Sequence, residues 1–336
     1  MENPARRKFI KCSALSLALS TRAGSALAAV VQPKGFRLGV NLAGAEFKDI
    51  GGRWQWPSLS NLAYYLGKGF NVYRVPFKWR RLQPTLLGPL DEAALMGLDQ
   101  IVKTATAAGA VVLLDAHDYG RRDNQIIGDV QSTVTANIFA DFWGRMAKRY
   151  KYNSSVWYNL MNEPHDQSAE ANIRAQNAAC AAIRAAGARS KVLFSGTAWT
   201  GAHSWLTTAN GVATLQMVDP ANNFAFDAHQ YLDKGYGGGT LVAIPGIGAR
   251  ILNDITTWAR QNRKQVFIGE FASGPTQPSL KELNDLLHFM VTHKDVFIGA
   301  TYFAGGGTWG KNPGSTDPIG GVEQPQTLLL QRYLKY

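Results

Sequence analysis

The stretch Val156-Trp157-Tyr158-Asn159-Leu160-Met161-Asn162-Glu163-Pro164 decides how the rest of the chain reads. Its first half is an apolar run of strand length, which fits a strand covered on both faces. Pro164 has no N–H to give to a sheet ladder, so the strand ends by that point. Glu163 then stands where a buried strand meets a loop, with the Asn162 amide beside it. A second glutamate has the same setting at Val266-Phe267-Ile268-Gly269-Glu270, 107 positions later. Two carboxyls at the ends of two buried strands suit a proton donor paired with a nucleophile, and that pair points to glycoside hydrolysis.

Outward from these two strands, short apolar runs alternate with longer amphipathic stretches from residue 36 to the end. Strands are expected at 36–40, 72–75, 111–115, 156–160, 192–194, 224–228, 266–269 and 296–302. Helices are expected at 59–68, 92–108, 136–150, 169–186, 202–209, 250–261, 280–293 and 326–335. Eight strand–helix units predict an α/β fold of one domain, a (β/α)8 TIM barrel. A doubly wound open sheet has the same alternation, but no Gly-rich phosphate loop follows the first strand. The glycine-rich stretches at 235–239 and 305–307 closely follow strand candidates, so in a barrel they stand on the catalytic face. One motif recurs: Asp115-Ala116-His117-Asp118-Tyr119 ends the third strand and Asp227-Ala228-His229-Gln230-Tyr231 ends the sixth. Both repeats bring an imidazole and a phenol to the same rim.

The first 28 residues read as an export leader. Arg6-Arg7-Lys8-Phe9-Ile10-Lys11 precedes a modestly apolar stretch at 14–19, and Ala26-Leu27-Ala28 offers a small-residue cleavage site. Paired arginines followed by Phe9 indicate the twin-arginine route. The apolar stretch falls short of the about 20 residues that span a bilayer. The expected mature chain, 29–336, is the catalytic domain, without a membrane span and located in the periplasm or outside the cell. The leader holds five basic residues and one acidic residue, so the net charge of +11 falls by four to +7. No long basic run accompanies that excess, which argues against nucleic-acid binding and leaves attraction to anionic polymers. Cys12 lies in the leader and Cys180 is left alone, so no intramolecular disulfide forms in the mature chain and Cys180 reads as a packing residue.

The ordered landmarks resemble glycoside hydrolase family 5, retaining β-glycanases on (β/α)8 barrels. They are Arg74-Val75-Pro76, His117, Asn162-Glu163-Pro164-His165, His229 with Tyr231, and Glu270. Within that family, Asp115-Ala116-His117-Asp118-Tyr119, Ile126-Ile127-Gly128 and Met161 to Asp166 are most similar to the endo-β-1,4-glucanase branch. The resemblance implies Glu163 as acid/base and Glu270 as nucleophile. It also implies that Arg74 holds Glu270 ionised, Asn162 donates to the sugar 2-hydroxyl, Tyr231 touches the nucleophile, and His117 and His229 line the central subsites. A β-glucan is the implied substrate and a monomer the expected state. No metal or nucleotide cofactor is expected, because the histidines are dispersed and neither metal-ligand nor phosphate-loop spacing occurs.

Sugar platforms are sought among Trp79, Trp199, Trp205 and Trp309, with Trp199 the best placed after the fifth strand. Two positions depart from the family pattern. Asp118 stands where Asn is expected, adding a negative charge that would raise the pKa of a neighbouring carboxyl. Phe303 ends the eighth strand where a Trp is expected, so either Phe303 or Trp309 supports the sugar at the cleavage point. A mannanase or other β-glycanase, a non-catalytic carbohydrate-binding barrel, and a nucleotide-dependent oxidoreductase are the competing readings.

Overall fold

Eight buried runs form the strands: β1 Arg37–Leu42, β2 Val72–Phe77, β3 Val111–Ala116, β4 Val156–Asn159, β5 Val192–Ser195, β6 Phe224–His229, β7 Val266–Phe271 and β8 Phe297–Gly305. The computed structural model describes residues 35–47, 54–309 and 312–336, so the expected leader at 1–28 lies outside the described residues. The strands close into one barrel in which each pairs with its sequence neighbours and β1 pairs with β8, every pairing parallel. Parallel strands covered on both faces need apolar residues at successive positions, which is why they read as continuous runs rather than alternating ones.

Each strand leads to a helix: α1 Leu59–Gly67, α2 Glu92–Ala107, α3 Ala136–Tyr150, α4 Ala169–Ala185, α5 Asn210–Ala213, α6 Asn253–Gln261, α7 Gln277–Thr292 and α8 Pro325–Gln331. The side chains of Ser58, Asp91, Thr135 and Ser168 cap the first four, each accepting a backbone N–H three residues on. Such caps satisfy donors that the helix itself leaves unpaired.

The fifth unit corrects the expectation of a helix over 202–209. The chain there makes 3-10 turns at Ala198–Thr200 and Ala202–Ser204 before the four residues of α5. The Thr207 and Thr208 hydroxyls both donate to the Ser204 carbonyl, and the Asn210 side chain bonds the Thr197 backbone. Short polar side chains that take backbone partners compete with helix formation. The result is a compact loop beside the rim.

Inside the barrel, an apolar layer of Val72, Val111, Leu113, Trp157, Leu193, Ala225 and Phe267 fills one end. Arg74, Asp115, Asn159 and Asp227 form a fully buried polar layer nearer the C-terminal ends of their strands. Gly269 makes that layer possible: a Cβ there would lie 2.1 Å from Asp227 Oδ1. Any larger residue would push the carboxylate out of place.

Candidate active site

The C-terminal ends of the strands surround a cleft of about 610 Å³ whose lining includes Glu163, Glu270, His117, His229, Tyr231 and Trp199. Phe303 and Trp309 line it as well, while Arg74 and Asn162 bond from beneath it. A register shift between Ala228 and His229 pairs His229 with Glu270 across β6 and β7. Glu163 sits past the end of β4 with a backbone φ of +41°, a conformation L-residues seldom adopt. Tyr119, Ala198, Trp199, Thr200 and Tyr236 around the same rim also have positive φ. Strain gathered at one rim marks where the fold holds side chains for use.

The two glutamates have opposite electrostatics. One oxygen of each, together with a His229 nitrogen, lies within 4.8 Å of the others. Glu163 is pushed above the usual carboxylate range, first by burial and then by the negative charge of Glu270. Glu270 is also buried, but the cations of His229 and Arg74 outweigh that cost and hold it below the usual range. Arg74 Nη1 donates to Glu270 Oε1 at 2.8 Å, and the Tyr231 hydroxyl donates to Oε2 at 2.7 Å. The two environments therefore pull the carboxyls apart, Glu163 toward the acid form and Glu270 toward the anion.

The Asp-x-His repeat supports this asymmetry from below. His117 Nδ1 lies 2.8 Å from Asp115 Oδ2, and its Nε2 faces the Tyr119 hydroxyl at 3.2 Å. Burial, with the cations of Arg74 and Lys78 adding to it, takes His117 well below its ordinary pKa, so it is neutral. His229 behaves oppositely. Its Nδ1 lies 2.8 Å from Glu163 Oε1 and 3.6 Å from Glu270 Oε2, and its Nε2 is 3.3 Å from Asp227 Oδ2. Burial opposes its charge, but Glu270, Asp227 and Glu163 outweigh it and raise its pKa to about 10. Asn159 Nδ2 ties the two aspartates together, donating to Asp115 Oδ1 at 2.9 Å and Asp227 Oδ2 at 3.0 Å.

Arg74 is the hub beneath the pair. It is fully buried and reaches Asn41, Glu270, Asn162 and Asp115 at once. Asn162 Oδ1 is spent on Arg74, while its buried Nδ2 has no hydrogen-bond partner among the described residues. Trp199 is half exposed and stacks on His165 at 3.7 Å with a 7° interplanar angle. Trp309 stacks on Phe47 at 5.8 Å, and its ring meets Phe303 at 5.1 Å and 88°. Phe303 and Trp309 thus form one aromatic corner rather than alternatives at separate places.

Three expectations need correction. Trp79 and Trp205 are fully buried: Arg122 covers Trp79, and Trp205 packs on Phe226 and Trp258, so neither is a sugar platform. Asp118 is not among the leading influences on either glutamate, and the carboxyl its charge couples to is Asp115. Its Oδ2 accepts the Trp79 N–H at 2.8 Å, which caps the helical turn Trp79–Leu82, and its Oδ1 lies 3.9 Å from Lys78. Several residues of the site escaped sequence reasoning: Asn41, Phe47, Asn159 and Tyr236. The repeated motif placed Tyr119 on the rim, and it also contained Asp115 and Asp227, whose part in the site it did not assign.

Among the described residues, no helix is long and apolar enough to cross a membrane. A closed parallel barrel carrying a carboxyl and a carboxylate side by side on its C-terminal rim defines the class of barrel glycoside hydrolases. The chain belongs to the cellulase family, glycosyl hydrolase family 5, whose model matches residues 38–306. It is 34% identical to endo-β-1,4-glucanase B of Aspergillus niger over 335 residues, covering 95% of this chain and 98% of the relative. Among solved structures it is similar to XacCel5A in complex with cellopentaose, at a TM-score of 0.84 and 38% identity over 88% of this chain and 98% of that one. An endo-β-1,4-glucanase from Xanthomonas axonopodis pv. citri superposes at a TM-score of 0.85, with 35% identity over 89% of this chain and 98% of that chain.

Proposed function

We propose that this chain is an exported, retaining endo-β-1,4-glucanase acting on cellulose-type or mixed-linkage β-glucan, with Glu163 as acid/base and Glu270 as nucleophile. The observation that carries this reading is a pair of glutamates whose oxygens lie within 4.8 Å and whose surroundings shift their pKa values in opposite directions. A separation near ~5 Å suits the covalent, retaining route, since it leaves no room for a water between carboxylate and sugar. Neutral Glu163 gives its proton to the leaving glycosidic oxygen while Glu270 bonds the anomeric carbon. Glu163, now a carboxylate, takes a proton from water, whose oxygen displaces Glu270 and restores both groups.

The neighbours have roles in the same cycle. Arg74 and Tyr231 hold Glu270 ionised and aimed, and Asn162 Nδ2 donates to the 2-hydroxyl, a contact that tightens as charge develops. His117 and His229 line the central subsite, Trp199 carries a sugar on one side, and the Phe303–Trp309 corner carries one on the other. The names of the Aspergillus and Xanthomonas relatives and the cellopentaose bound by XacCel5A support the substrate class. Residues 1–28 serve as a twin-arginine leader, and 29–336 act as a monomeric catalytic domain in the periplasm or outside the cell. Glu270→Ala tests the reading: turnover should vanish with the fold intact, and azide should restore cleavage with an inverted glycosyl azide as product. Wild-type turnover in Glu270→Gln would overturn it.

A further inference from the structure

A second cavity of about 600 Å³ opens from the main cleft at Glu163, sharing Tyr119, Glu163 and Trp199 with it. The main cleft runs between aromatic groups on the β1, β8 and β6 loops. This second arm instead lies along the loops after β2, β3 and β4, and its walls are polar: Arg80, Asp118, Arg121, Asp123, Asn124 and His165. It contributes nothing to the mechanism described above, and its charge pattern is uneven.

Both aspartates in the arm are already matched. Asp123 takes Arg80 Nη1 at 2.9 Å on one oxygen and Arg122 Nε at 3.1 Å on the other. Asp118 is held by the Trp79 N–H and Lys78. Arg121 differs. Its Nη1 donates to the carbonyls of Tyr119 and His165, both at 2.9 Å, and its Nη2 has a 3.5 Å contact with the Asp166 carbonyl. Among the described residues no carboxylate pairs with it. Those carbonyls pin the guanidinium across the β3 and β4 loops at the wall of the arm, so its charge is fixed in place but not neutralised. Arg80 stands with it, its side chain 71% exposed and shared with a single oxygen of Asp123. A fixed, unmatched guanidinium beside an exposed one is suited to an oxyanion.

We infer that this arm binds a carboxylate carried on the glucan chain beside the bond being cleaved, so that the preferred substrate class is an acidic β-glucan. The inference rests on the glucanase reading above and adds the sugar's charge to it. A sugar whose glycosidic oxygen is held at Glu163 lies at the mouth of the arm, in the cavity that both arginines line. The net charge of +7 left on residues 29–336, +11 less the leader's +4, acts in the same direction, drawing anionic polymers toward the surface before the arm selects among them.

The test compares kcat/KM on carboxymethylcellulose with kcat/KM on neutral hydroxyethylcellulose, for wild type, Arg80→Gln, Arg121→Gln and Arg121→Lys. In the wild type, the carboxymethyl-to-hydroxyethyl ratio should fall as salt is raised, because the carboxylate contact is ionic. Each Gln variant should lower that ratio at low salt by about tenfold or more, the scale of one charge-assisted hydrogen bond. Arg121→Lys should recover most of the ratio. Thermal unfolding separates any loss of loop structure in the Arg121 variants from loss of binding. A ratio that neither salt nor either Gln substitution moves would overturn the inference, as would equal losses on both polymers. Wild-type protein inert on both polymers would overturn the glucanase reading and this inference with it.

Discussion

Asp227→Asn removes one negative charge from beneath the glutamate pair and keeps the shape of the side chain. Asp227 is fully buried, with Oδ2 3.3 Å from His229 Nε2 and accepting from Asn159 at 3.0 Å. With its oxygen at the Oδ2 position, the new amide still accepts from Asn159 and faces Nε2, so the substitution removes the charge and keeps the contacts. At an effective dielectric of about 20, a unit charge at that distance is worth about 5 kcal/mol, or about 3–4 pKa units. The imidazolium of His229, now held to about pKa 10, would then titrate near neutrality. The consequence for the glutamates has one sign. His229⁺ lowers both carboxyls, so its loss raises Glu163 further and weakens the hold on Glu270. The acidic limb of kcat/KM reports Glu270 losing its proton, and the alkaline limb reports Glu163 losing its own. Both limbs should therefore move to higher pH. A pH–rate profile on a soluble β-glucan, with ¹⁵N-histidine NMR to follow His229 itself, measures this. Limbs that stay in place while the NMR shows a neutral His229 would refute the electrostatic account.

Trp309→Ala should lower kcat/KM by about 10–100-fold, since losing an aromatic platform forfeits about 1–3 kcal/mol of transition-state binding. Phe303→Ala should cost less activity and more thermal stability, because Phe303 supports the Trp309 ring at 5.1 Å; the reverse order in paired kinetics and melting curves would reassign the platform. Glu46→Gln should stabilise the fold at pH 8 and change little at pH 4. Burial raises the Glu46 carboxyl to about 8, with Asp115 and Glu270 adding to it, while an unfolded glutamate ionises near 4.3. The wild-type protein thus loses stability as pH rises from the unfolded value through the folded one, and Gln removes that loss. Melting temperatures across that range check it, and a gain that is the same at both pH values would count against the assignment.

The barrel was legible because parallel strands buried on both faces leave continuous apolar runs, and Val72–Phe77 and Val266–Phe271 are such runs. The strand ends were less legible. Strand β8 continues to Gly305 and β7 to Phe271, because the residues that carry the site are still paired there and no breaker residue marks the boundary. Glu163 and Glu270 could be picked out as strand-end carboxyls. Asp115 and Asp227 could not be assigned a task, since one sequence repeat is compatible with two neutral or two charged imidazoles. The difference lies in what the fold brings near each ring: Glu270, Asp227 and Glu163 together outweigh burial at His229, whereas at His117 burial, with the cations of Arg74 and Lys78, outweighs Glu270. Trp79 and Trp205 show the same limit, for an indole near a strand end in sequence can turn into the helix layer as readily as into the cleft.

The most direct test of the central claim is the anomeric configuration of the first product. Cellopentaose is cleaved in deuterated buffer, and proton NMR follows the new reducing end before mutarotation scrambles it. Two displacements at one carbon, with Glu270 as the intermediate ester, predict that the β-anomer appears first and decays toward equilibrium. An initial α-anomer would mean a single displacement by water and would contradict the assignment of Glu270 as nucleophile.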